Sequence, residues 1–375
     1  MPKKPTRRNV PFNQVLEALL DDRQTFPGLY LHQFSDLEGP DLETLKSTWN
    51  QIIPDRRLAL LEDLENLAEE EMIVSFDAVA SFALSDSDPR VRRTAVNLLW
   101  ECEDLHLVPV FIKMLKQDAD ENVRSAAATA LGQFIYLGEL EEIPEKTLHQ
   151  IEDVLLAVIQ GQDTVLVRRH ALESMGFSSR SEVPALITRA YESGEQEWLV
   201  SSLFAMGRSA DDRWEPEVKR MINHPEAEVQ VEAVRAAGEL ELSSTRRSLL
   251  ALLEDELVDE EVYYQAVWAL SKIGGDDVRE TLESLLENAE EDEDTDFIEQ
   301  ALENLTFTEG LDPFEMFEMY GGDMTEEVAS FENADRSHGF DNLPEDQAGE
   351  EAEDDQKPEG RPSEKKHHQH NKKET

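Results

Sequence analysis

One phrase restarts six times along this 375-residue chain, and weakly a seventh, and no other feature restricts its fold so tightly. The clearest copies are Asp88-Pro89-Arg90-Val91-Arg92-Arg93-Thr94-Ala95 and Asp120-Glu121-Asn122-Val123-Arg124-Ser125-Ala126-Ala127. Aligned on the valine, the copies start at Val91, Val123, Val167, Trp198, Val229, Val262 and Phe297, at intervals of 32, 44, 31, 31, 33 and 35 residues. A sequence with this period builds a stack of like units, each too small to bury its apolar face except on its neighbours. Length alone suggests two or more globular domains, but a stack grows by addition and escapes that rule.

Laid on a helix of about 3.6 residues per turn, the start position and those four, five and eight residues on share one face. They are Val91, Ala95, Val96 and Leu99 in the first copy and Val123, Ala127, Ala128 and Leu131 in the second. The pattern recurs as Val167, Ala171, Leu172, Met175, as Val229, Ala233, Val234, Ala237, and as Val262, Ala266, Val267, Leu270. It predicts a helix with one apolar stripe and small residues at its centre, suited to close packing. Three residues ahead stand Asp88, Asp120, Thr164, Glu195, Glu226, Asp259 or Asp294, acceptors or acids that suit a helix N-terminus. Nine residues after the start, Gly132, Gly176, Gly207 and Gly238 either relieve crowding or end the helix. Between the copies lie second apolar stretches, such as Leu107 to Leu115 and Val183 to Ile187, with a proline near the start where its missing N–H costs little. Each unit is therefore a helical hairpin. The extra material in the longest interval, Tyr136 to Lys146, is predicted as a longer loop or a helical extension.

These residues resemble the HEAT repeats, particularly the short bacterial type also called PBS-lyase HEAT-like. Over about residues 74 to 305 they follow that family's iterated Asp-x-x-Val-Arg-x-x-Ala-x-x-x-Leu-Gly pattern. The resemblance implies an all-α fold, a right-handed α-α superhelical solenoid of about seven helical hairpins without strands. It also implies a hydrogen-bonded ladder of aspartate and arginine between successive repeats. Arg92, Arg124 and Arg168 match the arginine, whereas Leu199, Gln230, Tyr263 and Ile298 do not, so the ladder is expected to stop midway. In the family, the helix of the phrase lines the concave surface.

Around the array, 74–305, the sequence divides by composition. Residues 1–40 form a basic lead-in with one helix around Phe12 to Leu20, and 41–73 read as N-terminal capping helices, with Leu58, Leu61, Leu64 and Leu67 near one face. Segment 306–320 is acidic and aromatic, with Phe314, Phe317 and Tyr320, and reads either as a C-terminal cap or as a linear motif for a partner. Residues 321–375 are expected to be a disordered acidic tail with a basic, histidine-bearing end.

Charge is the second constraint. The chain carries 83 acids against 35 bases, a net of −48, and the stretch 52–305 alone holds 56 against 22. Nucleic-acid affinity rests on neutralising phosphates with Lys and Arg, so a general nucleic-acid binder is excluded. The surplus acid reads as a solubilising surface or as recognition of basic partners. The one cysteine, Cys102, fits a reducing compartment. No apolar leader and no run of about eighteen apolar residues is present, so the expectation is a cytoplasmic protein without a membrane segment.

A search for chemistry finds no catalytic, cofactor or metal site. None of the nine histidines precedes a glutamate, which argues against the iron-holding His-Glu pairs of HEAT-like deoxyhypusine hydroxylases. HExxH, paired cysteines and a Gly-rich phosphate loop are absent. His367, His368 and His370 read as incidental tail polarity, Cys102 as a small apolar residue, and Glu290 to Asp294 as a solvated turn without the alternating ligands and glycine of a calcium loop. The reading is therefore a non-catalytic scaffold, not an enzyme and without a cofactor, binding a basic protein partner on its concave face. The alternative is an enzyme or subunit like the phycobilin lyases, which must hold a tetrapyrrole whose propionates this acidity repels. A nucleic-acid role like that of HEAT-like alkylpurine glycosylases is opposed by the charge. Nothing in the sequence specifies an oligomeric state.

The candidate contact residues lie beside the stripe, two and six residues after each start. Early copies place Arg93 and Asn97, Ser125 and Thr129, and Arg169 and Glu173 there; the later three place Val200 and Phe204, Val231 and Arg235, and Tyr264 and Trp268. Stacked, the later pairs form one apolar and aromatic strip of the kind that marks interaction sites, or else they are core on slightly rolled helices.

Overall fold

Helix starts follow the chemistry of the residue three places ahead of each stripe. Asp88 accepts the N–H of Arg90, Asp120 those of Asn122 and Val123, Thr164 that of Val167, and Asp259 that of Glu261. Glu195 and Glu226 occupy the same place and cap nothing, because the longer side chain overshoots the first-turn amides. Asp294 lies inside its helix instead of ahead of it. The computed structural model describes residues 10–310, apart from 72, 256, 276, 290, 291 and 309. The basic start and everything from 311 onward, including the 311–320 stretch and the tail, lie outside the described residues.

Three helices open the chain, α1 (Phe12–Leu20), α2 (Gly39–Thr48) and α3 (Pro54–Glu70). Pairs follow: α4 (Asp77–Ala83) with α5 (Pro89–Asn97), α6 (Leu107–Gln117) with α7 (Glu121–Glu139), α8 (Glu145–Gln160) with α9 (Val165–Met175), and α10 (Val183–Glu192) with α11 (Gln196–Arg208). The last are α12 (Glu215–Met221) with α13 (Ala227–Glu239), α14 (Arg246–Leu253) with α15 (Glu260–Ile273), and α16 (Val278–Asn288) with α17 (Asp292–Thr308). Among the described residues there is no strand, and the fold is an all-α solenoid. Each odd-numbered helix from α3 to α17 packs on the next odd one, and each even one from α4 to α16 packs on the odd helix that follows it. The extra residues of the long interval enter helix: α7 and α8 reach 19 and 16 residues with a short turn between them.

The stripe is the core. All four stripe residues are buried in α5, α7, α9, α13 and α15, and only Trp198 and Phe297 at the copy starts of α11 and α17 are half-exposed. Burying one Val or Leu contributes roughly 1.5–3 kcal/mol, against about 1 kcal/mol net for a hydrogen bond, so the stripe holds the stack together and polar contacts select how it aligns. Helix α3 extends the same inner series, with Leu60, Leu61 and Leu64 buried on its stripe. Ahead of it, Phe12 meets Phe34 in a T-shaped contact and Phe26 lies tilted against Phe34, with ring centroids 5.7 and 6.2 Å apart, and the three seal the end of the core.

The repeated glycines all relieve crowding, and Gly176 also ends its helix as the C-cap of α9. A Cβ on Gly132 would lie 2.9 Å from Ser174 Oγ; on Gly176, 2.8 Å from Ala205 Cα; on Gly207, 3.1 Å from Ala236 Cα; on Gly238, 2.8 Å from Ala269 Cα. Each glycine therefore forms a notch that receives the small residue seven places after the start of the next inner helix. At the last step the notch is Ser271, whose hydroxyl accepts from Asn304 Nδ2 at 2.9 Å.

The arginine ladder forms at Arg92 and Arg124 and stops midway, but it ends before Arg168, which matches the family's arginine, and it uses a different aspartate than the one in the phrase. Arg92 forks onto Asp118 at 2.8 and 2.7 Å, and Arg124 onto Asp163 at 3.1 and 2.7 Å. Asp88 and Asp120 cap helices, while the ladder acceptors stand in the turn just before them. The ladder also starts one helix earlier, at Arg57 and Asp86, 2.8 Å apart with side chains 5% and 0% exposed. Asp86 accepts Trp49 Nε1 as well, at 2.6 Å. Burial alone would raise the Asp118 carboxyl, but the Arg92 fork and the Asp120 amide outweigh it and hold it below the usual carboxylate range. Arg124 does the same for Asp163. Beyond this point Arg168 donates to the Ile159 carbonyl at 2.9 Å and lies 5.5 Å over Trp198, while Gln230 donates to the Ile222 carbonyl at 2.8 Å. The contact within a repeat survives; the carboxylate between repeats is gone.

Candidate protein-binding surface

Positions two and six after each start form two rows that cross the odd-numbered helices beside the stripe. In α7 and α9 these rows are polar and satisfied internally. Thr129 bonds His170 at 3.0 Å, Arg169 Nε donates to Ser201 Oγ at 2.9 Å, and Ser201 donates to Glu173 at 2.5 Å. From α11 to α15 the rows turn apolar and aromatic apart from Arg235, as the sequence pattern predicts.

The six sequence-predicted residues differ in exposure. Val200, Phe204, Arg235, Tyr264 and Trp268 are half-buried on the edge of the core. Val231 is corrected from surface to core: it is 7% exposed, because α13 is covered on one side by α11 and on the other by α15. Val200 packs against the core, and ring contacts join the other four in two groups. In the first, Phe204 carries the guanidinium of Arg235 at 3.9 Å and that of Arg208 at 4.1 Å from its ring centre. Arg208 also lies 4.5 Å over Phe177, whose ring is 5.3 Å from that of Tyr136. Arg235 pairs with Glu232 on its own helix. Burial pushes the Glu232 carboxyl up despite that pair, and burial, with Arg235 second, brings the Arg208 guanidinium down to about 10.

In the second group, Tyr264 and Trp268 flank Phe297, with centroids 5.2 and 6.3 Å from its ring. The Tyr264 hydroxyl donates to Asp294, so that acid is part of a packed contact and not of a free solvated turn. These three rings line an open groove of about 760 Å³ whose rim carries Asp259, Glu260 and Glu261. A further cleft of about 560 Å³, between the ends of α3 and α5, has Trp100 beside Glu65, Glu69, Asp77 and Glu101.

Sequence reasoning missed Arg208 and Phe177, which sit one helical turn past the positions considered, at the tenth residue of their copies. Phe297 was legible only as a stripe residue, since it begins the seventh copy. Cys102 is half-buried and burial pushes its thiol up to about 11, which keeps it a protonated apolar group. Among the described residues no cluster of three or more His, Cys, Asp or Glu is placed to hold a metal, and no helix is long and apolar enough to cross a membrane.

No curated protein matches this chain. Solved structures similar to it include the complex of CpcE and CpcF of phycocyanin lyase from Nostoc sp. PCC7120, at 19% identity over 61% of this chain and 94% of that one, with a TM-score of 0.42. Human deoxyhypusine hydroxylase is similar at 14% identity over 70% and 95%, TM-score 0.31. Kap95p, in its complex with RanGDP, is similar at 14% identity over 88% and 45%, TM-score 0.37. The family model for HEAT repeats matches residues 76–148 and 215–306. Residues 149–214 continue the same helix pairing between the two matched stretches, and the chain carries HEAT repeats.

Proposed function

We propose that this chain is a non-catalytic scaffold whose inner helices bind a protein partner through a basic segment. One observation carries the reading: the groove between α15 and α17 joins a floor of Tyr264, Trp268 and Phe297 to a rim of Asp259, Glu260 and Glu261. Aromatic faces and carboxylates together suit the aliphatic stem and cationic head of lysine or arginine, with cation–π attraction of about 0.5–2 kcal/mol per contact. The acidity of the whole array adds long-range attraction for such a segment and speeds its encounter. Half-buried aromatics of this type are the usual interface anchors.

An array of twelve-residue peptides of varied basic and apolar content, probed with the chain and with its Trp268→Ser variant, tests this. A subset of basic peptides is expected to bind, to weaken at least about tenfold with the variant, and to lose affinity as salt rises. Binding that is identical for both proteins would remove the groove from the interface, and retention of acidic peptides only would overturn the basic-partner reading.

A further inference from the structure

We infer that Arg208 is an oxyanion subsite on the inner face, at which a carboxylate of the bound polypeptide docks in the plane of the guanidinium; this rests on reading that face as a protein-binding surface. Phe177 and Phe204 lie against the guanidinium at 4.5 and 4.1 Å and hold its plane. Its edge is unused: among the described residues no acceptor lies within hydrogen-bond or ion-pair distance of it, whereas the forks of Arg92 and Arg124 are filled by Asp118 and Asp163. Nor is the edge sealed. The nitrogens that are both unpartnered and closed off from solvent belong to Arg56, Arg57 and Arg246.

The neighbouring carboxylates cannot fill the place, because each is engaged elsewhere. Glu173 is held by Ser201 and His170, Glu232 by Arg235, and Glu239 by Lys272 at 2.8 Å. The drop of the Arg208 guanidinium to about 10, from burial and then from Arg235, shows a cation short of compensation, which an incoming anion supplies. A guanidinium with a fixed plane offers two parallel N–H donors that match the two oxygens of a carboxylate, and little side-chain freedom is left to lose on binding. The three surrounding glutamates set the charge of the guest. A monoanionic carboxylate meets less repulsion from them than a doubly charged phosphate. With a cation in the groove at α15 and α17 and a carboxylate at α11, a bound segment can lie in only one direction along the inner face.

The test uses the full chain labelled with nitrogen-15 at arginine, reading the side-chain Nε–Hε signals by NMR at constant ionic strength. The probes are N-acetylglycine, its amide, and inorganic phosphate. The expected result is a saturable shift of the Arg208 signal with N-acetylglycine, none with the amide, and none at Arg124, whose fork is occupied. In Arg208→Lys, which keeps the charge and loses the fork, the signal of Arg235 on the shared Phe204 ring is expected to respond to N-acetylglycine at least about tenfold more weakly than in the unaltered chain. A shift that does not saturate, or that Arg124 shares, reduces the effect to screening and overturns the assignment. Saturation by phosphate at lower concentration than by N-acetylglycine overturns the carboxylate. Should Arg208→Lys not fold, the contrast between Arg208 and Arg124 in the unaltered chain decides. Because these probes are anionic and read at α11, their failure is distinct from failure of basic peptides to depend on Trp268.

Discussion

The helices from α3 to α9 and those from α9 to α15 solve the same stacking problem by different means. In the first region each step is closed by an arginine reaching an aspartate of the next repeat: Arg57 to Asp86, Arg92 to Asp118, Arg124 to Asp163. In the second, backbone meets backbone through Gly176, Gly207 and Gly238. The step from α7 to α9 has both, with Gly132 against Ser174 beside the Arg124 pair. A charged ladder gives alignment through directional bonds, while a glycine notch gives it through shape. In the second region Phe204, Arg208, Tyr264 and Trp268 gather beside the stripe, where Tyr264 bonds Asp294 and the two arginines flank Phe204.

The largest effect expected from breaking this contrast is at the buried end of the ladder. Arg57→Met leaves the sealed Asp86 carboxyl with Trp49, Ser87 and the Asp88 amide as its partners, and is expected to cost about 3–5 kcal/mol in urea unfolding. Next comes the notch. Gly176→Ala sets a methyl 2.8 Å from the Ala205 Cα and carbonyl oxygen, neither of which can swing away, and is expected to cost about 1–3 kcal/mol with no dependence on salt or pH. Gly28→Ala, with nothing within 4 Å, serves as its control and should stay within about 0.5 kcal/mol. Equal costs for the two would dissolve the distinction between shape and charge.

Smaller effects sharpen it. Arg124→Met is expected to cost about 1–2 kcal/mol at neutral pH, because its pair with Asp163 is only partly shielded from water. Since Asp118 and Asp163 titrate below their ordinary range in the folded chain, their contribution is complete above the usual carboxylate pKa of about 3.9 and is lost as pH falls through the lowered values. Hydrogen exchange should therefore show protection in α5 to α9 declining first on acidification. Glu232 has the opposite sign. Burial raises its folded pKa, so its cost appears as pH rises through that value and is relieved in acid. Glu232→Gln should change stability at neutral pH by less than about 1 kcal/mol and remove this opposing slope from α13, measured by urea midpoints across pH 4 to 8.

The helical stack was legible because the stripe repeats at a helical phase in nearly every copy and its residues are apolar. The ladder was legible through Arg92 and Arg124 but its acceptors were not, because the turn ahead of α7 offers two aspartates, Asp118 and Asp120, of identical chemistry two residues apart. Only geometry assigns one to the arginine and the other to the cap. Helix α3 escaped alignment because its copy begins with Arg56 in place of an apolar residue, although Arg57, Leu60, Leu61 and Leu64 keep the spacing. At the candidate surface, a residue's row on its helix was readable and its cover by neighbours was not. Val231 and Tyr264 hold the same position, two residues after their starts, yet one is buried and the other half-buried.

Repeat chains face an error that ordinary domains do not, since a helix can dock on the wrong copy of a surface that resembles the right one. The notches act as an address. If α9 skipped α7 and settled on α5, Ser174 would arrive where that copy carries Trp100 and no hollow exists. If α17 skipped α15 and settled on α13, Asn304 would meet Gly238 and lose the hydroxyl of Ser271 that accepts from it. Trp100 and Ser271 at the two ends of this row thus mark the ends of the array, while the four glycines between them, Gly132, Gly176, Gly207 and Gly238, present like hollows.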